Sequence, residues 1–160
     1  MKVKLQIIST TLFYSGLFFV ANYFDGSSNY LDLFLFSIGV LLGLFLMYFD
    51  EEFLYQYYLE PRATKINLIT RSLLFIFSLF PLGVFIITST GSELGVGLFL
   101  GIITTLLFEL IRYRSSVGNF HTRFLFQLKR KLSIQEINFF VTSFGILTLI
   151  FVLLTFFLGR

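Results

Sequence analysis

Five apolar windows, each 18 to 22 residues long, occupy most of this chain. An α-helix rises 1.5 Å per residue, so about 20 residues cross the roughly 30 Å of hydrocarbon in a bilayer. Membrane barrels are built instead from strands of about ten residues with alternating polarity, a pattern that these windows lack. The sequence therefore predicts an all-α integral membrane protein, a single transmembrane domain over 1–160. Its five spans are predicted at 5–24, 31–49, 69–88, 94–111 and 137–158.

The positive charges predict how these spans are oriented. Only 13% of the residues are charged, against roughly 25% in soluble domains. With a cytoplasmic amino terminus, eleven of the 12 Lys and Arg residues lie on the cytoplasmic side, and only Arg160 lies outside. This bias favours an N-in, C-out topology with two outer-turned hairpins and a closing span. The cytoplasmic loops are then 50–68 and 112–136, and the expected location is a bacterial cytoplasmic (inner) membrane.

The first span has two interpretations, because a basic start followed by an apolar run is also found in signal peptides. The run is too long for a signal peptide, and cleavage after Ala21 would place the bulky Phe19 where a small residue is required. An uncleaved anchor is preferred. Cleavage would leave four spans in the same orientation.

Small residues predict which helix faces pack closely. Two GxxxG patterns occur, one in the second span and one in the fourth, and such spacing lets helix backbones approach each other. In the fifth span, Gly145 shares a face with Asn138 and Thr142. The residues assigned to helix packing are Gly39, Gly43, Gly97, Gly101 and Gly145.

A proline lies in the middle of the third predicted span. Pro81 cannot donate a backbone hydrogen bond, so we expect it to bend this helix and to free the carbonyl of Phe77.

Two pairs of opposite charges are expected at the inner ends of the hairpins. Residues equally distant from a hairpin tip lie at similar depth, which places Glu109 level with Arg71 and Asp50 level with Lys4. Near the headgroups, a carboxylate can pair or snorkel at modest cost. We therefore predict an Arg71–Glu109 pair, with Arg112 as the alternative partner along the same helix, and a second pair between Lys4 and Asp50.

The segment before the last span, residues 120 to 132, predicts a basic amphipathic helix in the cytoplasmic interface. Phe120, Phe124, Leu128 and Leu132 recur every four residues. Such a helix attracts anionic lipid headgroups. The cations assigned to this lipid-facing segment are Arg123, Lys129, Arg130 and Lys131. A plain basic connector is the alternative interpretation.

No pattern of catalytic, cofactor-binding or metal-ligating residues is found in the sequence. It has no cysteine, a single histidine, and no HExxH, GxSxG or Walker A motif. We therefore predict a non-enzymatic structural or accessory subunit. It is expected to pack with itself or with a larger membrane complex and to contact anionic lipid rather than nucleic acid. The alternative is a minimal oligomeric transporter or channel that uses Glu109 and Arg71.

Overall fold

A computed structural model describes residues 2–24, 30–50, 69–89, 91–130 and 132–157. Over these ranges it contains helices and no strand. A short 3-10 turn, Ile69–Arg71, precedes the third helix. Within these described ranges the six helices are α1 (Lys2–Phe24), α2 (Tyr30–Phe49), α3 (Leu73–Ser89), α4 (Glu93–Tyr113), α5 (Val117–Phe124) and α6 (Ile134–Phe157).

Three of the described helices, α2, α4 and α6, are long and apolar enough to cross a membrane. The other two long helices differ from them in different ways. α1 has 23 residues, but polar side chains such as Gln6 and Ser9 lower its hydropathy. α3 is apolar but has only 17 residues, because the chain near Arg71 forms a 3-10 turn instead of continuing the helix. The all-helical class and the membrane location agree with the sequence prediction.

The two GxxxG motifs pack against each other inside the chain, where α2 crosses α4. A Cβ atom added at Gly39 or at Gly43 would lie 2.2 Å from a backbone carbonyl oxygen of α4. In return, a Cβ at Gly97 would lie 2.2 Å from the Phe36 carbonyl oxygen, and one at Gly101 2.5 Å from that of Val40. Only glycine permits backbones to approach this closely. These two helices form the central pair of the fold.

α3 and α6 pack on the central pair through aromatic rings. The rings of Phe99 and Phe151 meet edge to face, with centroids 5.1 Å apart. Gly83 of α3 makes room for them, since an added Cβ there would lie 2.3 Å from the Phe99 ring. This glycine contact was not predicted from the sequence.

α1 is attached to the central pair by hydrogen bonds as well as by packing. The buried hydroxyls of Tyr14 and Thr104 lie 2.7 Å apart, and those of Ser15 and Ser37 are also 2.7 Å apart. The ring of Phe18 stacks on Phe36 with a centroid distance of 4.4 Å. The polar residues that lower the hydropathy of α1 therefore include groups that bond to its neighbours.

Two expectations about single residues have different outcomes. A Cβ at Gly145 would meet only the Leu107 side chain, at 3.7 Å, so this glycine does not mark a close backbone approach within the chain. α3 continues as a helix through Pro81, and the proline side chain is exposed. The bend at this proline stays a prediction.

Candidate functional site

Four charged side chains from four separate segments meet at one end of the helices, and we call them the charge cluster. Asp50 follows the last residue of α2, Arg71 ends the 3-10 turn, Glu109 lies in the last turns of α4, and Arg123 lies on α5. None of these residues is adjacent to another in the sequence. The fold alone brings them together.

Arg71 and Glu109 form the centre of the charge cluster. Nε of Arg71 donates to Oε2 of Glu109 and its second guanidinium nitrogen donates to Oε1, both at 2.6 Å. This is the two-pronged geometry in which a planar guanidinium matches a carboxylate. The Arg71 side chain has 0% exposure, against 15% for Glu109. The structure thus places the two predicted partners in direct contact.

Asp50 lies on the other side of Arg71, not with the partner expected from depth alone. Its Oδ2 is 3.8 Å from a guanidinium nitrogen of Arg71, and it accepts a hydrogen bond from the hydroxyl of Thr70. The side chain of Lys4, its predicted partner, lies outside the part of the chain that is described. Arg71 is therefore held between two carboxylates.

Arg123 brings α5 into the charge cluster. A guanidinium nitrogen of Arg123 lies 3.6 Å from Oε2 of Glu109, and the guanidinium carbon lies 4.7 Å above the centroid of the Tyr113 ring. Cation–π contacts at this distance are attractive. Arg123 therefore faces inward, whereas the sequence predicted it in a lipid-facing basic segment. Arg112, the alternative partner of Glu109, is exposed.

The predicted helix over 120–132 is wrong in extent. α5 covers Val117–Phe124, and the chain then turns, with the amide of Leu128 donating to the Leu125 carbonyl. Phe120 and Phe124 are fully buried against the other helices instead of facing lipid. The apolar period of four in this segment therefore reflects packing on the helix ends as far as Phe124.

The rest of the basic segment stays at the surface. Lys129 and Arg130 are exposed, and Arg130 pairs with Glu136. The imidazole Nε2 of His121 lies 3.0 Å from the Arg130 carbonyl oxygen and fixes the turn after α5. Lys131 lies outside the described residues.

The electrostatics of the charge cluster favour a structural clamp. Its two carboxylates and two guanidiniums sum to zero charge, and the oxygens of Glu109 already accept from Arg71. Paired charges of this kind can remain in a partly buried position, whereas isolated ones would be costly. Among the residues described, no group of three or more His, Cys, Asp or Glu side chains is placed to hold a metal ion.

The sequence did not predict two contacts of the charge cluster: the hydrogen bond from Thr70 to Asp50 and the inward position of Arg123. The sequence does contain a signal for this inward position. Arg123 lies three residues after Phe120 and one before Phe124, which places it beside the apolar face of the helix. Comparisons with protein-family models, curated proteins and solved structures find no match. The site is therefore interpreted from its own geometry.

Proposed function

We propose that this chain is a small non-enzymatic membrane protein that acts as a structural or accessory subunit. In this proposal it spans the bilayer five times with its amino terminus inside and its carboxyl terminus outside, in a bacterial cytoplasmic membrane. It packs with itself or with a larger complex, and its cytoplasmic face contacts anionic lipid.

The observation that carries this proposal is the charge cluster. Its four ionisable side chains are directed at one another, so they hold the ends of α2, α3, α4 and α5 together. Glu109 accepts two short bonds from a fully buried arginine, so both of its carboxylate oxygens are already engaged. This arrangement favours a fixed scaffold.

The lipid contact is supported by the charges that the cluster leaves outside. Arg112, Arg114 and Lys129 are exposed near the same helix ends, whereas Arg130 is paired with Glu136 and Glu109 is paired with Arg71. A cation near an anionic membrane surface contributes about 1 kcal/mol of attraction. The surface is therefore complementary to phosphatidylglycerol and other anionic headgroups.

Native mass spectrometry of the purified protein tests the lipid contact. We expect phosphatidylglycerol to be retained in preference to phosphatidylcholine, and the double change Arg114→Gln with Lys129→Gln to reduce that preference severalfold. Arg160→Gln, which removes the one cation predicted on the outer side, is the matched control and should leave the preference unchanged. Equal retention of both lipids by the unaltered protein would contradict the lipid contact.

The rival function, a minimal oligomeric transporter or channel, is favoured by one observation: Arg71 is fully buried between two carboxylates. Ion and proton flux into liposomes that contain the purified protein separates the two functions. We expect no flux above that of empty liposomes. Flux that is abolished by Glu109→Gln would replace the subunit proposal with the transporter.

A further inference from the structure

The outward side of α6 carries polar side chains that have no hydrogen bond within the described part of the chain. Asn138, Thr142 and Ser143 are exposed and unbonded there. By contrast, Thr148 and Thr155 of the same helix are buried, and each donates at 2.9 Å to the carbonyl four residues earlier. The polar groups of α6 are therefore satisfied where the helix faces the bundle and unsatisfied where it faces outward.

The depth of these groups makes the difference matter. α6 has 24 residues, a length of about 36 Å, which exceeds the hydrocarbon thickness of roughly 30 Å by about 3 Å at each end. Thr142, eight residues from the start, then lies about 9 Å inside the hydrocarbon. A polar group without a partner in such surroundings raises the free energy, and a second helix with hydrogen-bonding side chains relieves that cost.

The outward residues follow the spacing of a helix pair. Asn138, Thr142, Gly145 and Leu149 are separated by steps of four, three and four residues, the period of a left-handed helix–helix seam. Gly145 fits this seam, because an added Cβ would touch only one side chain of its own chain, at 3.7 Å. The close approach that glycine permits is therefore available on the outer side.

We propose that this seam packs against the same seam of a second copy of the chain. All copies insert with the same orientation, so two α6 helices related by a two-fold axis along the membrane normal run parallel, and each seam residue meets its own counterpart. The amide of Asn138 and the hydroxyl of Thr142 each contain a donor and an acceptor, so both are complementary to themselves. An asparagine at such a position also fixes the register of a helix pair.

The other small-residue motifs do not compete for this role. Gly39, Gly43, Gly97 and Gly101 are already occupied by the α2–α4 contact inside one chain. The inference rests on the proposed packing of the protein with itself, and it adds the surface, the symmetry and the residues in contact.

Disulfide cross-linking in native membranes tests the seam directly, since the chain contains no cysteine. Thr142→Cys and Leu149→Cys should give disulfide-linked dimers under mild oxidation. Ser143→Cys is the matched control, because it is exposed at nearly the same depth but points about 100° away around the helix. It should give at least several times less dimer. Equal dimer from Ser143→Cys and Thr142→Cys, or no dimer from either seam variant, would overturn the inference.

A second variant separates the seam from the broader proposal. Asn138→Leu should lower the dimer fraction of the Thr142→Cys protein at least about threefold, as expected for the loss of one interhelical hydrogen bond. Asn119→Leu, an exposed asparagine on α5, should not. A dimeric mass in detergent that Asn138→Leu leaves unchanged would refute the seam while self-association stands. A monomer without cross-links or partners would refute both.

Discussion

At the scale of single residues, Arg71 explains why the carboxylates of Asp50 and Glu109 can lie partly buried at the helix ends. Its side chain is completely buried, with a carboxylate on either side. Removal of Arg71 leaves both carboxylates without their shared cation, and breaking a buried pair in this way typically destabilises a protein by about 3–5 kcal/mol, whereas neutralising both partners removes much of that cost. The charge cluster therefore stabilises the protein only while Arg71 and its carboxylate partners are all present.

The Arg71–Glu109 contact can be measured with a double-mutant cycle. Arg71→Gln and Glu109→Gln should each lower the unfolding temperature in detergent, and the double variant should recover part of the loss. Arg112→Gln is the matched control: this arginine is exposed, and it should have little effect. Simple additivity of the two single changes would show that the contact contributes nothing.

At the scale of helices, the sequence predicted the close faces of α2 and α4 but not which helices they join. The GxxxG spacing indicates that another helix backbone can approach closely, but it does not indicate whether that helix belongs to the same chain or to another protein. Gly145 illustrates the ambiguity, because its outward position has no close contact in the chain. Gly83, which receives two phenylalanine rings, has no small neighbour at the required spacing and gave no signal.

A comparison of glycines tests the α2–α4 contact. Gly97→Ala should destabilise the protein by about 1–3 kcal/mol, the usual cost of overpacking, because the new Cβ would meet the Phe36 carbonyl at 2.2 Å. Gly16→Ala, also within a helix, has nothing within 4 Å of the new Cβ and should be neutral or slightly stabilising. Similar unfolding temperatures for the two variants in the same detergent would contradict the close crossing.

α5 shows why periodicity alone misjudged the connection to the last helix. α5 ends at Phe124, and α6 begins only at Ile134. Burial of Phe120 and Phe124 against the helix ends, with the Phe120 ring 6.3 Å from Phe140, stabilises a short helix and a turn instead. Tertiary contacts of this kind cannot be deduced from a period of four.

At the scale of the whole molecule, the length of the apolar windows predicted where the long helices lie, while the orientation drawn from the positive charges stays a prediction. Each predicted window coincides with a long helix, although the 3-10 turn at Ile69–Arg71 shortens the third. Depth counted from the hairpin tip brought Glu109 level with Arg71. Depth alone could not predict that Arg123 contacts Glu109 or that Asp50 contacts Arg71. Both contacts depend on how segments distant in sequence fold over the helix ends.

The proposed orientation, with the charge cluster and the exposed cations beside it on the cytoplasmic side, is tested by labelling single cysteines with a membrane-impermeant thiol reagent. Ser89, at the end of α3, and Ser116, just before α5, are both exposed and lie at opposite ends of α4. In intact cells, Ser89→Cys should be labelled and Ser116→Cys should react only after permeabilisation. Labelling of Ser116→Cys in intact cells, with Ser89→Cys protected, would contradict the orientation and the lipid contact that depends on it.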